Sequence, residues 1–284
     1  MKRLRIIAII IVLVFLLALA VIRGGHQSQP KKVMKSNETY VALGDSVAAG
    51  DGLEQYSDSS ACDRTNESYP NVVASRLNVK LVNISCSGAT LAQGILGSQN
   101  VNDLQVTSQI QQLFKLPKPA LISITIGAND IGWTNYIEKC YEGECGSPAD
   151  TAAINQSLSS VSSNLSSVLL QIMDHYQLPL PHVVVTGYHQ VFPLNPINCS
   201  DLSGINANEL IWGRQQQAAL NNTLEQVVAH FSYAKFATIN FSGHELCTSD
   251  PWVQGLNDSA PYHPTDAGQI EFANQVIAAN ESYK

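Results

Sequence analysis

The chain has 284 residues, enough for one large domain or two small ones around a substantial core. Its formal net charge is −7, but seven of its 16 basic residues (Lys2, Arg3, Arg5, Arg23, Lys31, Lys32 and Lys35) fall in the first 35 positions, where there is no acid. The remainder carries 9 basic against 23 acidic residues, a net of −14, and so lacks the basic face that a nucleic-acid partner requires.

In chain order, a basic segment (residues 1–5) precedes an uninterrupted apolar run (residues 6–22). The run is slightly short of the roughly 20 residues that span a bilayer, though within the accepted range. Ala18-Leu19-Ala20 offers an A-x-A-like processing site. Residues 1–22 therefore read as a cleaved signal peptide or an uncleaved N-terminal membrane anchor, with the rest of the chain outside the cytoplasm. Residues 23–38 lack apolar periodicity and read as a flexible tether, leaving residues 39–284 as one domain.

Strand candidates cover residues 40–43, 79–84, 120–126, 182–186 and 236–241, several almost continuously apolar, as strands buried on both faces are. Helical patterns lie between them. In the serine-rich "NQSLSSVSSNLSSVLLQI", Leu158, Val161, Leu165, Val168 and Ile172 recur at spacings of 3 and 4 and make one apolar face. Leu220, Leu224, Val227 and Phe231 mark a second helix, and Ile270, Ala273 and Ile277 a last one. This alternation predicts a parallel sheet with helices on both faces and a ligand site at the carboxyl edge of the strands.

"YVALGDSVAAGDG" places Ser46 on that edge, after the first strand. A serine hydroxyl becomes a nucleophile only beside a base, and the anion formed on a substrate carbonyl needs hydrogen-bond donors. "SCSGATL" supplies Gly88 after the second strand and "ITIGANDIGW" supplies Asn129 after the third. With the Ser46 N–H, the Gly88 N–H and the Asn129 amide make a three-donor oxyanion hole. Of seven histidines, His26 lies in the tether, His182 opens a strand, and His175 and His230 end helices. His189 and His244 stay open as bases, but His263 in "DSAPYHPTDAGQ" is preferred, because Thr265 reads as the N-cap of the last helix and fixes the junction.

The six cysteines (Cys62, Cys86, Cys140, Cys145, Cys199, Cys247) are even in number and fit disulfides in an oxidising compartment. Zinc spacing is absent, and no metal or cofactor is called for. Sequence alone leaves 15 pairings open.

Gly44-Asp45-Ser46, Gly88, Gly127-Ala128-Asn129-Asp130 and His263 occur in the order of the four blocks of the SGNH (GDSL-type) hydrolases. The chain resembles that family's secreted bacterial esterase, lipase and phospholipase branch, to which "GHELCTSDPW" and "YHPTDAGQ" are also similar. The resemblance implies an α/β fold, a three-layer α/β/α sandwich with a central parallel sheet of flavodoxin-like type. It implies disulfides Cys62–Cys86, Cys140–Cys145 and Cys199–Cys247. It also implies Ser46 as nucleophile, His263 as base, and Ser46, Gly88 and Asn129 around the oxyanion, with Asp45 and Asp130 holding loops. One departure stands out: the family's aspartate three residues before the histidine is here Ala260. A backbone carbonyl from the Ala260–Pro261 stretch is expected to orient the ring, giving a Ser–His dyad, with Asp258 as the alternative that would complete a triad.

The expected activity is carboxylic ester hydrolysis on short acyl esters, acetylated glycans or lipids. The alternatives are a lipase or phospholipase working at lipid surfaces and a catalytically idle cell-surface binding module. Modest aromatic content and the lack of a lid-like insertion favour soluble or surface-glycan esters. Trp133, Tyr136 and Tyr141 are expected to wall the pocket. A monomer is expected, secreted or anchored through residues 6–22, and ten N-x-S/T sequons offer glycosylation sites if the host uses them.

Overall fold

The computed structural model of the chain describes residues 34–54, 61–194 and 199–283. The apolar N-terminal run, and the tether as far as residue 33, lie outside the described residues. Met34–Tyr283 forms one compact unit. Its centre is a parallel sheet of β1 (Thr39–Gly44), β2 (Lys80–Asn83), β5 (Leu121–Thr125), β6 (His182–Thr186) and β7 (Ala234–Ala237), in spatial order β2-β1-β5-β6-β7. The chain leaves β1 toward one edge and returns to its other side with β5. That reversal is the switch point at which doubly wound sheets bind ligands. A small antiparallel hairpin, β3 (Gln99–Val101) with β4 (Leu104–Val106), stands apart from the sheet.

Helices flank the sheet. They are α1 (Ser46–Ala49), α2 (Tyr69–Leu77), α3 (Gln109–Phe114), α4 (Trp133–Tyr141), α5 (Pro148–His175), α6 (Ala207–Val228) and α7 (Asp266–Glu281). The helix pair α2 and α7 and the pair α5 and α6 pack internally to build the outer layers. Helix α5 shows why a serine-rich sequence is helical. Leu158, Val161, Leu165, Val168 and Ile172 are buried on one side, each worth about 1.5–3 kcal/mol. On the other side, Ser159, Ser163 and Ser166 donate to the carbonyls one turn back. Ser147 and Asp150 form a reciprocal capping box at its start.

The strand interior is apolar except for one chain of hydroxyls. Tyr40 Oη pairs with Ser123 Oγ at 2.6 Å, Tyr69 Oη with Ser123 and Thr125 at 3.1 and 2.8 Å, and Thr125 with Thr186 at 2.7 Å. Each of these five hydroxyls thus has a partner, as burial demands.

Strand 182–186 agrees with the sequence reading, and β1, β2 and β5 agree to within one or two residues. The last strand does not. It covers Ala234–Ala237 rather than 236–241, because only this stretch pairs with β6. Ile239 and Phe241 are buried beyond the sheet, so their apolar character reported burial rather than strand. The three disulfides are Cys62–Cys86, Cys140–Cys145 and Cys199–Cys247, the pairing that the family resemblance implies.

Candidate active site

At the carboxyl end of β1 the chain turns sharply into α1. Gly44 has φ +145°, and a Cβ there would sit 2.3 Å from the Thr125 carbonyl oxygen, so only glycine allows β1 and β5 to close up at the turn. The Gln109 side chain grips this glycine from both sides, accepting from its N–H and donating to its C=O at 2.8 Å each. Asp45 caps α1 by accepting the Val47 N–H at 3.0 Å. Ser46 is then the first helical residue, half-buried, with its hydroxyl facing a cavity of about 420 Å³.

The His263 ring meets it there, with Nε2 2.7 Å from Ser46 Oγ, although 217 positions separate the two. Its Nδ1 lies 3.1 Å from the Pro261 carbonyl oxygen. A carbonyl only accepts, so Nδ1 carries the proton and Nε2 presents its lone pair to the serine. The carbonyl facing the ring falls within the Ala260–Pro261 stretch expected from the sequence, but it is that of Pro261 rather than Ala260, and the alternative orienter Asp258 lies away from the ring. The Ala260 carbonyl is occupied by the His263 backbone N–H at 3.2 Å, and the Asp258 carboxylate accepts the Gly255 N–H at 2.7 Å in a separate exposed turn. The cause is the backbone at Tyr262. Its φ of +70° lies in the left-handed region, and this turns the Pro261 carbonyl back toward the ring.

The loop is held in place by Gln254. Its main chain bonds Tyr262 N and His263 O at 2.9 and 2.8 Å, and its side chain bonds Ala260 N and Pro264 O at 3.2 Å each. Gly52 lets the serine loop approach this segment, since a Cβ there would lie 2.4 Å from the Ala260 Cβ. Thr265 caps α7 through the Gly268 N–H.

Asn129 lines the same cavity as Ser46 and His263. One amide hydrogen goes to the Ala89 carbonyl at 2.9 Å, leaving the second free to donate. That bond ties Asn129 to the loop carrying Gly88, which is exposed and does not itself line the cavity. The Gly88 loop is also pinned beside the serine turn, because Cys86 N donates to Gly44 O at 3.0 Å. Asp130 accepts the Leu91 N–H through both oxygens at 3.0 and 3.1 Å.

A buried network joins the serine and asparagine turns. Ala128 N–H donates to Tyr188 Oη at 3.2 Å, and the Tyr188 hydroxyl donates to the Asp45 carboxylate. Burial raises Asp45 to about 7 against the bonds from Tyr188 and Val47, and raises Asp130 to about 6. Sequence reasoning missed Tyr188; its position just after β6, in "TGYHQ", was the available signal.

Of the other described histidines, His189 also lines the cavity, but its Nε2 faces the Tyr262 carbonyl at 3.0 Å rather than Ser46. His244 bonds the Asp250 carbonyl and stacks on Trp252 at 3.7 Å between ring centres, while His182 bonds Asn280. His26 lies outside the described residues. Trp133 and Tyr141 line the cavity with Ile131, Ile137, Leu220 and Leu256. Tyr136 instead faces a neighbouring polar cleft near Lys139 and Asp150. Among the described residues, no three His, Cys, Asp or Glu side chains gather as metal ligands would. A hydroxyl sharing its proton with a tautomer-fixed imidazole, beside free N–H donors, is equipped for acyl transfer.

Comparison with known proteins agrees. Residues 42–269 match the GDSL-like Lipase/Acylhydrolase family. The chain is 32% identical over 280 residues to Lipase 1 of Streptomyces coelicolor, covering 95% of this chain and 96% of that one. It superimposes on the extracellular lipase of Streptomyces rimosus with a TM-score of 0.68 at 28% identity, covering 85% of this chain and 99% of the other. The phospholipase A1 of Streptomyces albidoflavus gives 0.67 at 28% identity, covering 86% and 99%. With the motifs, the sheet order and these likenesses in agreement, the chain belongs to the GDSL-like lipase/acylhydrolase family and is an ester hydrolase.

Proposed function

We propose that Ser46 and His263 form a catalytic dyad that hydrolyses esters of hydrocarbon-chain acids outside the cytoplasm. Ser46 Oγ attacks the ester carbonyl carbon as its proton passes to His263 Nε2. The oxyanion is received by Ser46 N–H, Gly88 N–H and the free Asn129 amide hydrogen. Collapse expels the alcohol, which takes the proton from Nε2. Water then repeats the sequence on the acyl-enzyme, releasing the acid and restoring the serine. The imidazolium that forms is steadied by a neutral carbonyl, that of Pro261, rather than by a carboxylate.

The observation that carries the substrate reading is the cavity beside the serine. At about 420 Å³ the cavity greatly exceeds the needs of an acetyl group and leaves room for a longer acyl chain. Its Ile131, Ile137, Leu220 and Leu256 walls suit hydrocarbon. This moves the reading from acetylated glycans toward lipid-like esters, and the lipase and phospholipase names of the relatives support it. Three disulfides support an extracytoplasmic location. Secretion, or anchoring on the outer face of the cytoplasmic membrane through residues 6–22, and a monomeric state complete the proposal.

The test is a panel of p-nitrophenyl esters from two to sixteen carbons, with an acetylated sugar and a phospholipid. We expect kcat/KM to peak at medium chain length and Trp133→Ala to shift that peak. A maximum at acetate, unmoved by Trp133→Ala, would overturn the substrate reading.

A further inference from the structure

We propose that His189 is a positioning residue for His263, acting through the Tyr262 carbonyl; this rests on the assignment of His263 as the base. His189 is 4% exposed and takes no part in the acyl-transfer chemistry. Its Nε2 lies 3.0 Å from the Tyr262 carbonyl oxygen. Since a carbonyl only accepts, Nε2 carries the proton, and Nδ1 is left buried without a partner. Burial holds the ring neutral, with its pKa lowered to about 3. A buried polar atom left unpaired is costly, so the single bond that His189 does make needs a physical reason.

The reason lies in the three carbonyls before His263. That of Ala260 takes the His263 backbone N–H, that of Pro261 takes its Nδ1–H, and that of Tyr262 takes His189. The peptide unit joining Tyr262 to His263 is planar, so a bond on its oxygen fixes the plane and with it the His263 N–Cα bond; with His263 O held by Gln254 N at 2.8 Å, this sets the direction of the Cα–Cβ bond. Tyr262 sits at φ +70°, where a bulky residue is disfavoured and tends to relax unless held. Its N–H is held by Gln254 and its hydroxyl pairs with that of Tyr141, but its carbonyl is held by His189.

His189 is itself immobilised. Its ring lies 4.6 Å from Phe241 and 5.8 Å from Phe272, centre to centre, and its own carbonyl accepts from Gln217 Nε2. An imidazole thus supplies two things at one site, an aromatic face for packing and an N–H aimed at one oxygen. The two contacts that depend on this plane are the 2.7 Å approach of Nε2 to Ser46 and the 3.1 Å bond to Pro261.

The test compares His189→Phe, which keeps a ring and deletes the donor, with His189→Gln, whose amide nitrogen falls where Nε2 was. The expected result is a fall in kcat on the order of 10- to 100-fold in His189→Phe, as for a reacting group misplaced by about 1 Å, with KM within about twofold. His189→Gln should recover to within about fivefold of wild type. The low-field proton resonance of His263 Nδ1–H should be lost or shifted in His189→Phe and retained in His189→Gln. If His189→Phe does not fold, His189→Asn, whose shorter amide leaves the Nε2 place empty, is expected to show the same loss. A lowered melting temperature with unchanged kcat and an unchanged resonance would reduce His189 to a packing residue and overturn the proposal. Failure of the dyad itself is distinguishable, since Ser46→Ala or His263→Ala would then retain activity whatever happens at position 189.

Discussion

Asp258→Asn separates a dyad from a triad. In the structure the Asp258 carboxylate accepts the Gly255 N–H at 2.7 Å in an exposed turn, while the ring nitrogen it would have to serve is bonded to Pro261 O at 3.1 Å. Asparagine keeps an oxygen for Gly255, so the change exchanges a charge-assisted bond for a neutral one at the surface, costing under about 1 kcal/mol of stability. For catalysis the expectation is kcat within about threefold of wild type. Where an aspartate does orient the catalytic histidine, the same substitution costs about 10⁴ in kcat, or roughly 5.4 kcal/mol. Steady-state turnover of a p-nitrophenyl ester under saturation resolves the two, provided thermal melts show both proteins folded. A loss of a thousandfold or more in Asp258→Asn would refute the carbonyl-oriented dyad, because among the described residues the hydrogen bond of this side chain goes to Gly255 N, away from the ring.

The same geometry sets three further outcomes. Asn129→Ala should lower kcat by roughly 10²–10³, since one oxyanion donor is removed, and cost about 1 kcal/mol of stability, since the Ala89 carbonyl loses its donor; unchanged kcat would remove Asn129 from the oxyanion hole. Asp45, raised to about 7, and Asp130, raised to about 6, both bind protons more tightly folded than unfolded. Their contribution to stability is therefore full below about pH 4 and declines as pH rises toward 7, at up to about 1.4 kcal/mol per pH unit for each. Urea unfolding at pH 5 and pH 7.5 should show that decline and its reduction in Asp45→Asn, whereas parallel profiles would contradict it. Replacing Cys62 and Cys86 by alanine should cost about 3.5 kcal/mol for the loop they close, measured by the denaturation midpoint. Because Ser87 N bonds Cys62 O at 3.2 Å, it should also lower kcat by loosening the Gly88 loop.

Much of this was legible in the sequence for identifiable reasons. Continuous apolar runs revealed the central strands, and the 3–4 spacing of Leu158 to Ile172 revealed α5 beneath its serines. The turn motifs placed Ser46, Asn129 and His263 after strand ends or before a helix start, which is where a parallel sheet assembles them. Other features left no pattern to find. Gln109, Gln254 and Gln269 are buried, although glutamine is ordinarily a surface residue, and each bonds backbone groups of a strand end, a loop or a helix start elsewhere in the chain. The choice of Pro261 over Ala260 depended on one left-handed φ at Tyr262, a residue type that gives no warning of it. The cavity beside Ser46 is lined by Leu220 on α6 and Leu256 before the histidine loop meeting Trp133 on α4, a convergence invisible along the chain. The hairpin β3–β4 was too short and too polar to signal itself.

The central claim is that Ser46 is the nucleophile and that its oxyanion donors are already in place. A crystal structure of the enzyme after reaction with an alkyl fluorophosphonate tests both at once. The account predicts a phosphorus bonded to Ser46 Oγ, one phosphonyl oxygen within about 3 Å of Ser46 N, Gly88 N and Asn129 Nδ2, and the alkyl chain lying along Ile137 and Leu220. Phosphonylation at any other residue, or an oxygen turned away from those three nitrogens, would contradict it.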